Sequence, residues 1–93
     1  MKEKDFVRKA LKIAAKRDPR LEAGGAPTHN KEWFHHFTYA GVDLRLKHGQ
    51  SRDSERKVVW YKDLVRQLRF VVSSAGLDPA DLLANFPKVE QIR

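Results

Sequence analysis

Residues 32–47, EWFHHFTYAGVDLRLK, decide the fold. EWFHHFTY is made of residues that suit a pleated, half-buried surface, and VDLRLK alternates Val42, Leu44 and Leu46 with Asp43, Arg45 and Lys47 at a strand's period of two. Ala40-Gly41 between them supplies a tight turn, so the stretch predicts an antiparallel hairpin. Successive strand side chains point to opposite faces. Trp33, His35, Phe37 and Tyr39 therefore share one face and Phe34, His36 and Thr38 the other, and with aromatics on both, one face is partly exposed.

On the N-terminal side, Lys4 to Arg17 sets Phe6, Val7, Ala10, Leu11 and Ala14 at helical spacing, with Arg8, Lys9, Lys12 and Lys16 opposite. Asp18-Pro19 ends this amphipathic helix, because the residue before proline is pushed out of the helical region. Residues 20–31 carry Gly24-Gly25, Pro27 and Asn30, turn chemistry that reads mainly as a loop with at most one short strand over Arg20 to Ala23.

On the C-terminal side, residues 48–57, HGQSRDSERK, hold no apolar residue and read as a mobile loop. VVWY (58–61) leans towards a third strand on its β-branched pair and aromatics, with the first turn of a helix as the alternative. Tyr61, Leu64, Val65, Leu68, Val71, Val72 and Ala75 then form one apolar helical stripe, opposite Lys62, Arg66 and Arg69. Gly76 stands where a helix end needs a left-handed residue, with Leu77 to make the accompanying apolar contact. Asp78 caps a short third helix with Pro79 at its first position, running to about Asn85 before Pro87. The sum is α+β, in the order α-β-β-(β)-α-α: a two- or three-stranded antiparallel sheet with helices packed on one face. Residues 1–93 read as one domain, with 87–93 a loose tail.

The chain holds 19 Lys and Arg against 12 Asp and Glu, four His and no Cys. A chain this short buries only about 60% of the surface its unfolded form exposes, which excludes large catalytic clefts and a second core. Without cysteine, disulfide scaffolds and thiolate zinc sites are excluded. There is no apolar run of membrane-span length and no signal-peptide h-region in MKEKDFVRK, so the chain reads as soluble and cytoplasmic. Its net charge of +7 is organised: residues 1–20 carry eight bases against three acids, residues 45–69 again eight against three, and the last eighteen residues two against three. That distribution suits an anionic partner approaching one side, nucleic acid above all.

The histidines do not suggest a metal. His35 and His36, adjacent in a strand, point to opposite faces, and neither an H-x-H nor an H-x₃-H pairing occurs. His48 is a loop residue beside Gly49. His29 lies in a turn-rich loop beside Thr28 and Lys31, where an imidazole is accessible. Metal-free RNA cleavage needs a base for the 2′-hydroxyl proton and cations for the pentavalent phosphate, and His29 with Lys31 and Arg45 could supply them. Lys62, Arg66 and Arg69 on one helical face, preceded by Arg52, Arg56 and Lys57, form a candidate phosphate-binding track. No cofactor is implied.

The basic first helix, the Gly-rich turn with its His and aromatic strand, a second strand ending Lys47-His48-Gly49, and the helix ending SSAGLDPADLL occur in the order seen in the HicA family of toxin endoribonucleases, which the chain resembles from roughly Asp5 to Phe86. The resemblance implies a double-stranded-RNA-binding-domain-like α-β-β-β-α fold, metal-independent RNA cleavage, and an antitoxin partner covering the basic face. It places the family's Gly-Ser-His on Pro27-Thr28-His29, making His29 the catalytic residue, with Pro27-Thr28 standing where the family has Gly-Ser. Its fold recognises RNA by shape, through phosphates and 2′-hydroxyls.

Two other classes are open. One is a non-catalytic interaction or inhibitor protein, for Trp33, Phe34, Phe37, Tyr39, Trp60 and Tyr61 are many aromatics for so small a core. The other is a DNA-binding helix-turn-helix over Gln67 to Phe86, although its recognition helix would carry Asp78 and Asp81 and no base.

Overall fold

A computed structural model of the chain describes residues 3–23, 34–47 and 57–92. Helix α1, Glu3–Arg17, begins with Glu3 and Asp5 and ends with Lys16 and Arg17, the arrangement that complements a helix dipole. It buries Phe6, Val7, Ala10, Leu11 and Ala14, the stripe the sequence predicts. Asp18 stops it, and the backbone N–H of Leu21 returns to the Asp18 carbonyl at 3.0 Å to start β1, Leu21–Ala23. Strands β2, Phe34–Tyr39, and β3, Val42–Lys47, complete an antiparallel sheet of order β1-β2-β3. Tyr39 pairs with Val42 across Ala40-Gly41, and both turn residues have positive φ, +51° and +82°. These values mark the type I′ turn whose twist matches that of the strands.

The pairing puts Leu21, Phe37, Tyr39 and Leu46 on the inner face, all buried, and Glu22, His36, Thr38, Asp43, Arg45 and Lys47 on the outer one. Helix α1 lies over β1 and β2. Helix α2, Lys57–Ser74, lies along β3 and touches α1, where Phe6 meets Trp60 edge to face at 5.9 Å. It ends as the glycine predicts. The Leu77 N–H bonds the Val72 carbonyl and the Gly76 N–H bonds the Ser73 carbonyl, the paired bonds of a Schellman motif, with Gly76 at φ +81°. Asp78 Oδ1 accepts the Ala80 N–H at 2.9 Å ahead of α3, Ala80–Asn85. The described residues thus form an α+β fold with the helices on one face of a three-stranded antiparallel sheet.

Two expectations are corrected. VVWY is helix: α2 starts at Lys57, and the third strand is the short β1. Trp60 continues the ladder Trp60, Leu64, Leu68, Val72, every member buried, and that burial outweighs the β-propensity of Val58 and Val59. The segment after Phe86 is docked, with Pro87 and Ile92 fully buried and a 3₁₀ helix over Val89–Gln91. Tyr61 donates its hydroxyl to the Pro87 carbonyl at 2.9 Å, and Arg17 reaches Gln91 Oε1 at 3.3 Å, so both long helices hold the tail.

The end of the fold away from Trp60 is tied by one buried carboxylate. Asp18, 2% exposed, accepts the Arg20 backbone N–H and Nε on Oδ1 and Arg20 Nη2 and the Tyr39 hydroxyl on Oδ2, all within 3.2 Å. The Arg20 bonds hold the Asp18 carboxyl below the ordinary range despite burial, and burial, aided by Asp18, pushes the Tyr39 phenol up. No helix among the described residues is long and apolar enough to cross a membrane.

Candidate nucleic-acid interface

Packing α2 by its Trp60–Val72 ladder leaves an outward ridge of Val59, Lys62, Arg66, Arg69, Phe70 and Ser73, all exposed. This is the helical face of three of the predicted binding residues. Two shallow grooves flank it. The first, about 460 Å³, lies between α2 and the edge strand β3, lined by Arg45, Lys47, Arg66, Gln67, Phe70 and Val71. The second, about 350 Å³, lies between α2 and the C-terminal segment. Lys62, Arg66, Arg69 and Lys88 supply its cations, and Tyr61, Val65, Leu83 and Phe86 its apolar wall.

Arg66 borders both grooves, so the two are one cationic band around the α2 ridge. Six basic side chains line it, and among the described residues that do so there is no carboxylate. Asp63, the acid of α2, is half-buried and held by Arg66 and, at 2.8 Å, by Gln67 Nε2. Gln67 Oε1 in turn accepts the Lys47 backbone N–H at 3.2 Å, which fastens β3 to α2 and fixes the first groove's width. The Arg66 to Asp63 pair is exposed on its arginine side and is worth little in water, so a phosphate can displace it.

The structure therefore brings together Arg45, Lys62, Arg66 and Arg69 of the predicted set. Lys57 opens α2. His29, Lys31, Arg52 and Arg56 lie outside the described residues, as does the predicted juxtaposition of His29 with Arg45. Three residues that line the band are not among the candidates read from the sequence. Lys47 reads in sequence as a strand's polar alternate and Lys88 as part of a loose tail, but Phe70 carries a signal: it is a large aromatic that falls off the apolar stripe of α2, so helical geometry alone places it in water. It is 71% exposed.

Among the described residues no three of His, Asp and Glu gather closely enough to hold a metal ion. Of the aromatics considered as an exposed interface, Phe37, Tyr39 and Trp60 are buried in the core and Tyr61 is half-buried against Phe86, while Trp33 and the Phe34 side chain lie outside the described residues. What the band offers chemically is a set of exposed cations on both sides of α2 with apolar wall between them, an arrangement that suits a polyanion. No protein-family model, curated protein or solved structure matches the chain.

Proposed function

We propose that this chain binds RNA by its phosphates along the α2 ridge and the two grooves beside it. The observation that carries the reading is the gathering of Arg45, Lys47, Lys62, Arg66, Arg69 and Lys88 around one helix with no carboxylate among the described lining residues. The element order through α2, α-β-β-β-α, is the order implied by the resemblance to HicA, and it supports RNA over DNA. Helix α3 speaks against a helix-turn-helix reader. It has six residues, Asp81 lies on it 3.5 Å from Arg20 Nη2, and Leu82 is buried. The core position of Phe37, Tyr39 and Trp60 likewise favours the binding reading over an aromatic protein interface.

Counterion release sets the expected size of the effect. Each phosphate neutralised on a duplex adds about 0.9 to the slope of log K against log salt, so six contacts give a slope of about −5. Replacing Arg66 and Arg69 together by alanine removes two contacts, reduces the slope by about 2, and at 0.1 M salt weakens binding by about 60-fold, fading towards 1 M. Fluorescence anisotropy with a labelled RNA duplex across a salt series measures both quantities. An unchanged slope would remove the α2 ridge as the phosphate track. The resemblance extends the proposal to metal-independent cleavage with His29 as the base, and to an antitoxin-like protein that competes with RNA for the same face.

A further inference from the structure

We infer that Phe70 is the seat for one unpaired RNA base, so that the RNA this protein selects is a duplex interrupted by a bulge or loop. The inference rests on the RNA reading above and narrows its substrate. Phe70 is the most exposed large apolar side chain among the described residues, and the fold has no use for it there. On the solvent face of an 18-residue helix it buries little, and phenylalanine is a weaker helix former than the alanine or leucine that could replace it.

Its surroundings indicate what would cover it. Phe70 and Val71 give the β3-side groove its apolar surface, Arg66 stands one turn before Phe70 and Arg69 beside it, and Arg45 and Lys47 face them from β3. The other exposed large apolar side chains among the described residues, Val42 and Val59, line neither groove, so among those residues Phe70 joins no contiguous patch of large apolar side chains of the kind a protein partner would bury. An exposed aromatic side chain sharing a groove of about 460 Å³ with Arg45, Lys47 and Arg66 matches a flat π-system joined to an anion: a nucleotide. A paired base is stacked inside its helix and cannot reach the ring. Only a base released at a loop, bulge or end can, and such bases are commonly held by aromatic stacking. The phosphates of the adjoining duplex then fall to Lys62, Arg69 and Lys88 across the ridge.

The test compares two RNAs of one sequence, a continuous duplex and the same duplex with a single unpaired 2-aminopurine, against the full chain and its Phe70→Ala and Phe70→Trp variants. Loss of one stacked base costs about 5- to 150-fold in affinity. The wild type is expected to prefer the bulged RNA by that factor and to quench the 2-aminopurine. Phe70→Ala should lose both effects while keeping its salt slope and melting temperature, and Phe70→Trp should restore them. Equal wild-type affinity for the two RNAs, or an undiminished preference in Phe70→Ala, overturns the inference and leaves the RNA reading standing. Binding to neither RNA overturns both, and if an acidic, aromatic-bearing peptide is then bound and released by Phe70→Ala, the groove's occupant is a protein.

Discussion

Replacing Asp18 by alanine should destabilise the fold by about 2 kcal/mol, and the loss should depend on pH in a way that identifies its cause. The carboxylate is 2% exposed and accepts four hydrogen bonds, three from Arg20 and one from Tyr39. Arg20 is half-exposed and recovers water when Asp18 is removed, whereas the Tyr39 hydroxyl, on a residue 1% exposed, loses its acceptor and is left buried. Such a group costs about 1–3 kcal/mol, which for a domain of this length lowers the melting temperature by about 8–16 °C at the middle of that range. Because the folded-state pKa of Asp18 lies below its ordinary value of 3.8, the folded state binds fewer protons than the unfolded one in the window beneath 3.8. The group's contribution is therefore complete above that value and is lost as pH falls through the folded-state pKa. Urea titrations of wild type and Asp18→Ala at pH 7, 4 and 2.5 should show the difference shrinking towards acid. Adding Tyr39→Phe to Asp18→Ala removes the orphaned hydroxyl, so the double variant should be less damaged than the sum of the single ones by about 1 kcal/mol. A difference independent of pH, or strict additivity, would refute the account.

Ala40 sits at φ +51° in the hairpin turn, a conformation that costs an ordinary side chain about 1–2 kcal/mol, so Ala40→Asn should raise the melting temperature by several degrees. Calorimetry on the purified variant checks it, and an unchanged or lower value would mean that the turn carries no strain. Metal-free incubation with a structured RNA should give cleavage that His29→Ala abolishes while leaving affinity unchanged. Equal cleavage by the variant, or none by the wild type, would remove His29 as the base and leave the binding proposal untouched.

The parts of this fold legible in sequence are those that short-range chemistry settles. The strand over Val42–Lys47 follows from alternation and its partner from β-propensity, the turn from Ala40-Gly41, and the end of α2 from Gly76, whose bonds involve residues at most five apart. The parts that were not legible depend on partners distant in sequence. VVWY has strand propensity, and only the burial of Trp60 against Phe6 of α1 makes it helix. Asp18 reads as the last residue before a proline. Its buried acceptor role depends on Tyr39, which the sheet brings back from 21 residues along the chain. Pro87 to Ile92 look like a tail because nothing local marks them, yet the Tyr61 hydroxyl and Arg17 hold them down. The candidate site divides the same way. Lys62, Arg66 and Arg69 come from one helical period, whereas Lys47 and Lys88 join them only because β3 and the C-terminal segment pack on opposite flanks of α2.

That packing explains how a 93-residue chain without a large cleft gathers the cations of the proposed polyanion site. Lys62 to Arg69 spans seven residues, about 10 Å of helix, roughly one Debye length at 0.1 M salt. Lys47 and Arg45 enter on one side and Lys88 on the other, so the six charges form a single patch. A patch this concentrated repels itself, and the fold must hold α2 against that repulsion. The buried Trp60–Val72 ladder does so along the whole helix, and Asp63, drawing on both Arg66 and Gln67, lowers the charge at the centre of the ridge in the unbound protein. On the proposed RNA reading, phosphates replace Asp63 as the partner of Arg66, and the self-repulsion that opposes folding becomes the attraction that favours binding.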